Sequence, residues 1–320
     1  MAKPKTLVVS IPGMIGPRDL QSLSQYADVD YREMDSISEA DLARMCAGFE
    51  YLMLNMDVVP KSGNLRLSPR FYDAASVRSL KSIAVDMTGV DYFSPQAAKA
   101  AGVMLQNIPH YSSQSVAESI LAEVLLHSRQ RHLAYQDERV GKPAEARKGI
   151  NLKDRQAGVV GMGSIGRAAA GLLSAVGMKV RYWNRSGLEL CGAALLPELF
   201  ENSDVICVCA KTVIEGPDAN VGMIGASLLS RCKGAIVVNL ANELLIDPDA
   251  MSDALGNGAV SGYSVEASPA QRSTLGRFPQ VHFPPPNAWN SDESMSQLRQ
   301  TWVENLVSAI RGNPQNVYGD

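Results

Sequence analysis

The sequence predicts an α/β protein of two domains, each built on a parallel, doubly wound sheet. Three observations predict it. First, the apolar run Ala157-Gly158-Val159-Val160, the turn Gly161–Gly166, a helix of small residues from Arg167 and the apolar run Met178–Trp183 form a strand–turn–helix–strand unit. Second, apolar runs alternate with helical stretches on both sides of that unit, the pattern of a parallel sheet with right-handed crossovers. Third, a break at Pro284-Pro285-Pro286 precedes one long helical stretch, about Asp292–Arg311, too far along to join the same sheet. That helix is expected to return to the first domain. The first domain is then discontinuous, residues 1–108 with 288–320, and the second runs from 109 to 287. At 320 residues there is chain enough for two cores.

In chain order, Leu7–Ile11 reads as a strand, Asp19–Ala27 as a helix, and Glu50–Asn55 and Ser82–Asp86 as strands. Gln96–Ala101 reads as a short helix before the strand Val103–Gln106, and Asn107-Ile108-Pro109 as a hinge out of the domain. No glycine phosphate loop occurs in this half. Ser113–His132 is apolar at helical spacing and amphipathic. A polar loop through Lys142-Pro143 leads into the glycine unit. Beyond it, Val205–Cys209, Ala235–Asn239 and Val260–Val265 read as strands, separated by helical segments such as Ala226–Arg231 and Pro248–Leu255.

The turn carries the chemistry. In Gly161-Met162-Gly163-Ser164-Ile165-Gly166 the first glycine permits a tight turn. The second lets backbone approach a pyrophosphate, and the third lets helix and strand pack closely. The free N–H groups and dipole of the helix start favour phosphate. Flanked by strand and helix, this is a Rossmann-like dinucleotide site. A site selecting NAD places Asp or Glu at the end of the second strand, to accept from the ribose hydroxyls. Here that strand ends in Asn184, Arg185 and Ser186. An Arg and a Ser suit a 2′-phosphate, which predicts NADP(H) ahead of NAD.

Composition narrows the classes. A net charge of −3 gives no electrostatic footprint for nucleic acid. The most basic stretch, Arg129–Lys148, interleaves Asp137 and Glu138 and reads as a solvated helix and loop. The apolar run near the amino terminus is too short for a signal or membrane segment. Five cysteines, at 46, 191, 207, 209 and 232, are scattered, and no Cys or His spacing suggests a metal. The expectation is a cytoplasmic, metal-free protein acting on a small molecule, with no nucleic-acid or membrane partner.

Over nearly its full length the chain resembles the D-2-hydroxyacid dehydrogenase family. Asn107-Ile108-Pro109-His110-Tyr111-Ser112 followed by Ser115-Val116-Ala117-Glu118 is similar to that family's hinge and first long helix. Gly161–Gly166 is similar to its nucleotide turn, and Lys233–Asn239 to its strand leading into the active site. The resemblance implies two Rossmann-like domains, hydride transfer to or from nicotinamide, and a homodimer formed through the nucleotide domain. It also implies further cofactor contacts just past the strands, at Ala210, Lys211, Leu240, Ala241 and Asn242. Ser264 stands where the family has an Asp near the nicotinamide amide.

The same resemblance exposes departures. The family's Arg, which clamps a substrate carboxylate, falls on Asn242; its Glu falls on Ser268, and its His on Pro286. Glu266 is two residues away from the acid position, and His282 is four upstream of the His position. Loss of one charge-assisted bond amounts to roughly 1.5–3 kcal/mol. Asp86, in Asp86-Met87-Thr88-Gly89-Val90-Asp91, is expected to place negative charge beside an anionic substrate. These substitutions point to an NADP(H)-dependent oxidoreductase acting on a carbonyl, alcohol or imine that is not a simple 2-oxo acid. Tyr111, Asn242, His110 and Asp86 are its candidate site residues. A catalytically silent NAD(P)-binding sensor or scaffold, and a non-redox enzyme that retains the nucleotide, are the alternatives.

Overall fold

A computed structural model describes residues 2–62, 65–143, 147–187, 191–214 and 216–318. The chain divides into two compact units, residues 1–111 with 291–320, and residues 112–290.

The first unit carries strands β1 (Lys5–Ser10), β2 (Asp28–Glu33), β3 (Tyr51–Leu54), β4 (Ser82–Val85) and β5 (Met104–Gln106), with helices α1 (Pro17–Ser24), α2 (Glu39–Met45), α3 (Pro69–Asp73) and α4 (Pro95–Ala100) between them. The sheet order is β2-β1-β3-β4-β5 and every pair is parallel. β2, absent from the sequence reading, is an edge strand of sequence DVDYRE. Only one neighbour covers it, so it needs no apolar run and gives no apolar signal. The long C-terminal helix packs here. Its Trp302 is fully buried and donates its indole N–H to the Ala84 carbonyl at 2.8 Å. Gln106 Nε2 donates to the Asn305 and Gln315 carbonyls, at 2.9 and 2.8 Å.

The second unit opens with α5 (Ser113–Ser128) and α6 (Arg131–Arg139), then β6 (Gln156–Val160), α7 (Ser164–Ala175) and β7 (Lys179–Trp183). There follow α8 (Leu196–Asn202), β8 (Val205–Val208), α9 (Ala226–Leu229), β9 (Ala235–Asn239), α10 (Pro248–Gly256), β10 (Val260–Val265), α11 (Pro269–Leu275) and β11 (Val281–His282). The C-terminal helix of the first unit is then α12 (Asp292–Ile310). The second sheet runs β11-β10-β9-β8-β6-β7, again all parallel. Strand order reverses between β7 and β8 on either side of β6, so the carboxyl end of β6 lies at the switch point, where open α/β sheets bind ligands.

The sequence reads Ser113–His132 as one helix, but the chain breaks it. Gln130 has φ of +48°, a left-handed conformation uncommon for a residue with a side chain. The break folds α6 back so that the His132 ring meets the His127 ring edge-on, with centroids 4.7 Å apart. Elsewhere the capping logic is visible. Asp247 caps α10 through the N–H groups of Asp249 and Ala250, with Pro248 in the first turn. No described helix is long and apolar enough to cross a membrane.

Candidate active site

The glycine turn is built by two different constraints. Gly161 has φ of +97°, and a Cβ there would lie 2.6 Å from Ala210 Cα, so both backbone and packing require glycine. A Cβ on Gly166 would lie 2.0 Å from the Gly161 carbonyl oxygen. Gly163 differs, since a Cβ on it would meet nothing within 4 Å. No packing explains that glycine, and it is also the uncapped N-cap of α7. The open space before the free N–H groups of the α7 start fits a pyrophosphate approaching closely. Ser164 and Ile165 form the first turn of α7, and Met162 N–H donates to Asn184 Oδ1 at 3.2 Å.

Past β7, Asn184 is therefore tied to the turn, and its Nδ2 donates to Ser186 Oγ at 2.5 Å. Arg185 is exposed; its Nη1 donates to the Asp218 carbonyl at 2.8 Å and lies 3.5 Å from the Asp218 carboxylate. Lys211 is on the same segment, its carbonyl accepting from Asn220 Nδ2 at 2.8 Å. Among the described residues, none of those directly after β7, residues 184–187, carries a carboxylate, and the Asp218 carboxylate lies against Arg185.

Past β9, Asn239 shapes the loop. It is buried; its Oδ1 accepts from the N–H groups of Ala241 and Asn242 at 3.2 and 3.3 Å, and its Nδ2 donates to the Asn242 carbonyl at 2.8 Å. Leu240, Ala241 and Asn242 are fixed by that one amide. Asn242 spends its own Oδ1 on the Leu244 N–H at 2.9 Å, capping a short turn. Glu243 Oε2 accepts from Ser268 N–H at 2.7 Å, and Ser268 caps α11. Past β10, Glu266 Oε1 accepts from Ala288 N–H at 3.4 Å, and burial raises its carboxyl above the usual range. Pro286 is exposed in the next loop.

Sequence reasoning missed a buried polar cluster beneath these loops. Ser264 Oγ donates to Glu123 Oε2 at 2.5 Å, His127 Nε2 lies 2.8 Å from Ser264 Oγ, and His282 Nδ1 lies 2.7 Å from the same Glu123 oxygen. The single Ser264 proton goes to the carboxylate, so the proton in the His127 bond sits on Nε2. Hydrogen bonds from His282 and Ser264 pull Glu123 below the usual range despite its burial. Gly262 makes room: a Cβ there would lie 2.6 Å from His127 Nδ1. Ser264 is thus fully buried against α5. Partners 137 and 159 positions apart leave no local pattern to read.

In the first unit, Asp86 is 5% exposed and turned inward. Its oxygens accept from Met56 N–H at 2.7 Å and Asn55 Nδ2 at 2.5 Å, and burial pushes its carboxyl up to about 7. The free negative charge expected there is taken up inside the unit. His110 is exposed with φ of +66°, and Tyr111 is half-buried against the cluster containing Ile108 and Trp302. Among the described residues no group of His, Cys, Asp and Glu can hold a metal ion.

Residues 121–286, more than half of the chain, match the family model described as D-isomer specific 2-hydroxyacid dehydrogenase, NAD binding domain. The chain belongs to the D-isomer specific 2-hydroxyacid dehydrogenase family. It is 27% identical over 311 residues to a glycerate dehydrogenase of Methylorubrum extorquens, covering 90% of this chain and 91% of that protein. Its fold is shared with a glyoxylate reductase from Paecilomyes thermophila, at TM-score 0.84, 22% identity and 99% of both chains. It is shared as well with an acyclic imino acid reductase solved with NADPH and D-Arg, at TM-score 0.82 and 21% identity over 98% of this chain and 99% of that one. As a 2-hydroxyacid dehydrogenase family member the chain is an NAD(P)-dependent oxidoreductase acting on CH–OH or C=O groups, and its second unit is the nucleotide-binding one.

Proposed function

We propose that the protein is an NADP(H)-dependent reductase or dehydrogenase whose substrate is a carbonyl, alcohol or imine other than a simple 2-oxo acid. The observation that carries this is Asn242. It stands at the position the family resemblance gives to a carboxylate-clamping Arg, bears no charge, and commits its oxygen to Leu244 N–H. One Asn amide holds a carboxylate far less strongly than a bidentate guanidinium. The imino acid reductase solved with NADPH, of the same fold, supports a C=N substrate within the scaffold.

In this reading the N–H groups from Gly163 to Gly166 hold the pyrophosphate, with Met162 N–H bracing Asn184 beside them, and Arg185, Asn184 and Ser186 hold the 2′-phosphate. Ala210, Lys211, Leu240, Ala241 and Asn242 shape the rest of the cofactor site, while the Ser264 hydroxyl, buried on Glu123 and His127, serves it only from behind. Bound nicotinamide supplies the hydride. Asn242 of the second unit is a candidate polar group for the substrate heteroatom, and His110 and Tyr111 of the first unit are the other candidates. A homodimer follows from the family resemblance, and Leu125 on α5, Tyr135 on α6 and Val140 just past it supply exposed apolar surface for it.

The test is NADPH and NADH oxidation followed by absorbance with 2-oxo acids, neutral ketones, aldehydes and cyclic imines, beside fluorescence titration of each nucleotide. Turnover of uncharged carbonyls or imines with NADPH, weakened in Tyr111→Phe, is the expected result. Brisk turnover of glyoxylate or hydroxypyruvate overturns the reading of Asn242.

A further inference from the structure

Reducing a carbonyl, or oxidising an alcohol, moves a proton at the heteroatom as well as two electrons at carbon. A side chain of the nucleotide-binding unit that moves it stands at the carboxyl ends of the second sheet's strands, where this fold binds its ligands. The described titratable groups there can be taken in turn. Past β7, Arg185 donates to the Asp218 carbonyl; past β8, the Lys211 carbonyl accepts from Asn220, and Cys209 has its thiol pushed up to about 12 by burial. Past β9, Glu243 is held at 2.7 Å by the Ser268 N–H. At the end of β11, His282 is turned back onto Glu123 of α5, at 2.7 Å.

Past β10 there is Glu266. It follows Val265, which pairs with Asn239 at the end of β9, so it stands beside the Leu240–Asn242 loop. Its single described partner is the Ala288 N–H, at a long 3.4 Å, and it has no described ion-pair partner. Its loop partner Ala288 is itself fixed, its carbonyl accepting from Ser119 Oγ of α5 at 3.3 Å.

We propose that Glu266 is the acid and base of the reaction, giving its carboxyl proton to the substrate oxygen or nitrogen during reduction and taking it back during oxidation. This rests on the reading of the protein as an active reductase. In the forward direction the carbonyl carbon gains a hydrogen with two electrons from NADPH, which becomes NADP. The C=O π pair moves to oxygen, and the new O–H bond forms with the proton that leaves Glu266. The Glu266 carboxylate then regains a proton from water. Burial favours the protonated starting form, opposed only by the Ala288 N–H; no charged side chain from β9, from β10 or from the Pro284–Asn290 loop enters the balance.

Glu266→Gln tests this, since Gln keeps the acceptor for Ala288 N–H and so keeps the loop. Cyclohexanone, benzaldehyde and a cyclic imine are the probes, with kcat and KM followed across pH for wild type, Glu266→Gln, His282→Asn and Tyr111→Phe. The wild type should slow on the alkaline side, and Glu266→Gln should lose about 10²-fold or more in kcat. That variant should lose the alkaline limb while binding NADPH with unchanged affinity by fluorescence. Infrared difference spectra of the substrate-free protein should show a carboxyl band that persists to higher pH than an ordinary glutamic acid's and that Glu266→Gln lacks. Retention of rate and limb in Glu266→Gln, or transfer of the limb's loss to His282→Asn or Tyr111→Phe, overturns the assignment alone. NADPH binding with no turnover of any carbonyl or imine overturns the reading beneath it.

Discussion

At the scale of single residues, the glycine turn separates a packing requirement from a binding requirement. Gly166→Ala puts a methyl 2.0 Å from the Gly161 carbonyl, a backbone atom that cannot swing away. It should destabilise the second unit by roughly 1–3 kcal/mol or more, seen as a lower melting temperature without nucleotide. Gly163→Ala puts its methyl in open space at a φ of −72°, which alanine adopts freely. It should melt as wild type yet bind NADPH about tenfold or more weakly, because the methyl occupies room the pyrophosphate needs. A Gly163→Ala protein that binds NADPH normally would sink the placement of the phosphates. This turn was legible because its demand is local: three glycines within six residues, between a strand and a helix. The contacts of Glu243 and Glu266 were not, because their partners, Ser268 and Ala288, come from other loops. Nothing in the string Asn239-Leu240-Ala241-Asn242 says that one amide will hold the three residues after it.

Elements were legible in proportion to their burial. β6, β8, β9 and β10 are near-continuous apolar runs because helices or other strands cover both faces. β2 escaped notice for the opposite reason, and the α5–α6 break has no glycine or proline to announce it. That break matters, because it delivers His132 to the cluster formed by α5, β10 and β11. Both His132 ring nitrogens are buried with no hydrogen-bond partner, and burial pushes its imidazole down to about 4 and that of His127 down to about 3. An unfolded chain takes those protons near pH 6.5, so it binds more protons than the folded one as pH falls. Stability held by the α5–α6 elbow is therefore present above about pH 6.5 and lost progressively on acidification. His132→Leu removes one such group along with its unmet hydrogen bonds. It should raise the melting temperature of the second unit by an amount matching roughly 1 kcal/mol or more, and more at pH 5 than at pH 8. Equal shifts at the two pH values would mean that His132 is not the group taking up the proton.

Across the whole molecule the two units carry opposite pH dependences. In the first unit, Asp86 has its carboxyl pushed up to about 7 by burial, against an ordinary 3.8. The folded unit then binds more protons than the unfolded chain between those values, so its stability is full below about pH 4 and falls as pH rises to about 7. In the second unit the histidines work the other way, and the dinucleotide adds a term of its own. A ligand bound only by the folded form stabilises it by about 2.7 kcal/mol at a hundred times its Kd, and the turn that binds it lies wholly within residues 112–290. Calorimetry, with hydrogen exchange to assign each melting event, should therefore show the two sets of peptides moving apart. From pH 5 to pH 8, protection of the first unit should fall and that of the second should rise. Asp86→Asn should flatten only the first, and saturating NADPH should raise only the second. The sources of pH dependence are then separable: the Asp86 carboxyl in the first unit, and in the second two buried imidazoles opposed by the raised Glu266 carboxyl. Parallel movement of both units in every condition would show that they unfold as one cooperative body, in which case each substitution should act on a single shared transition.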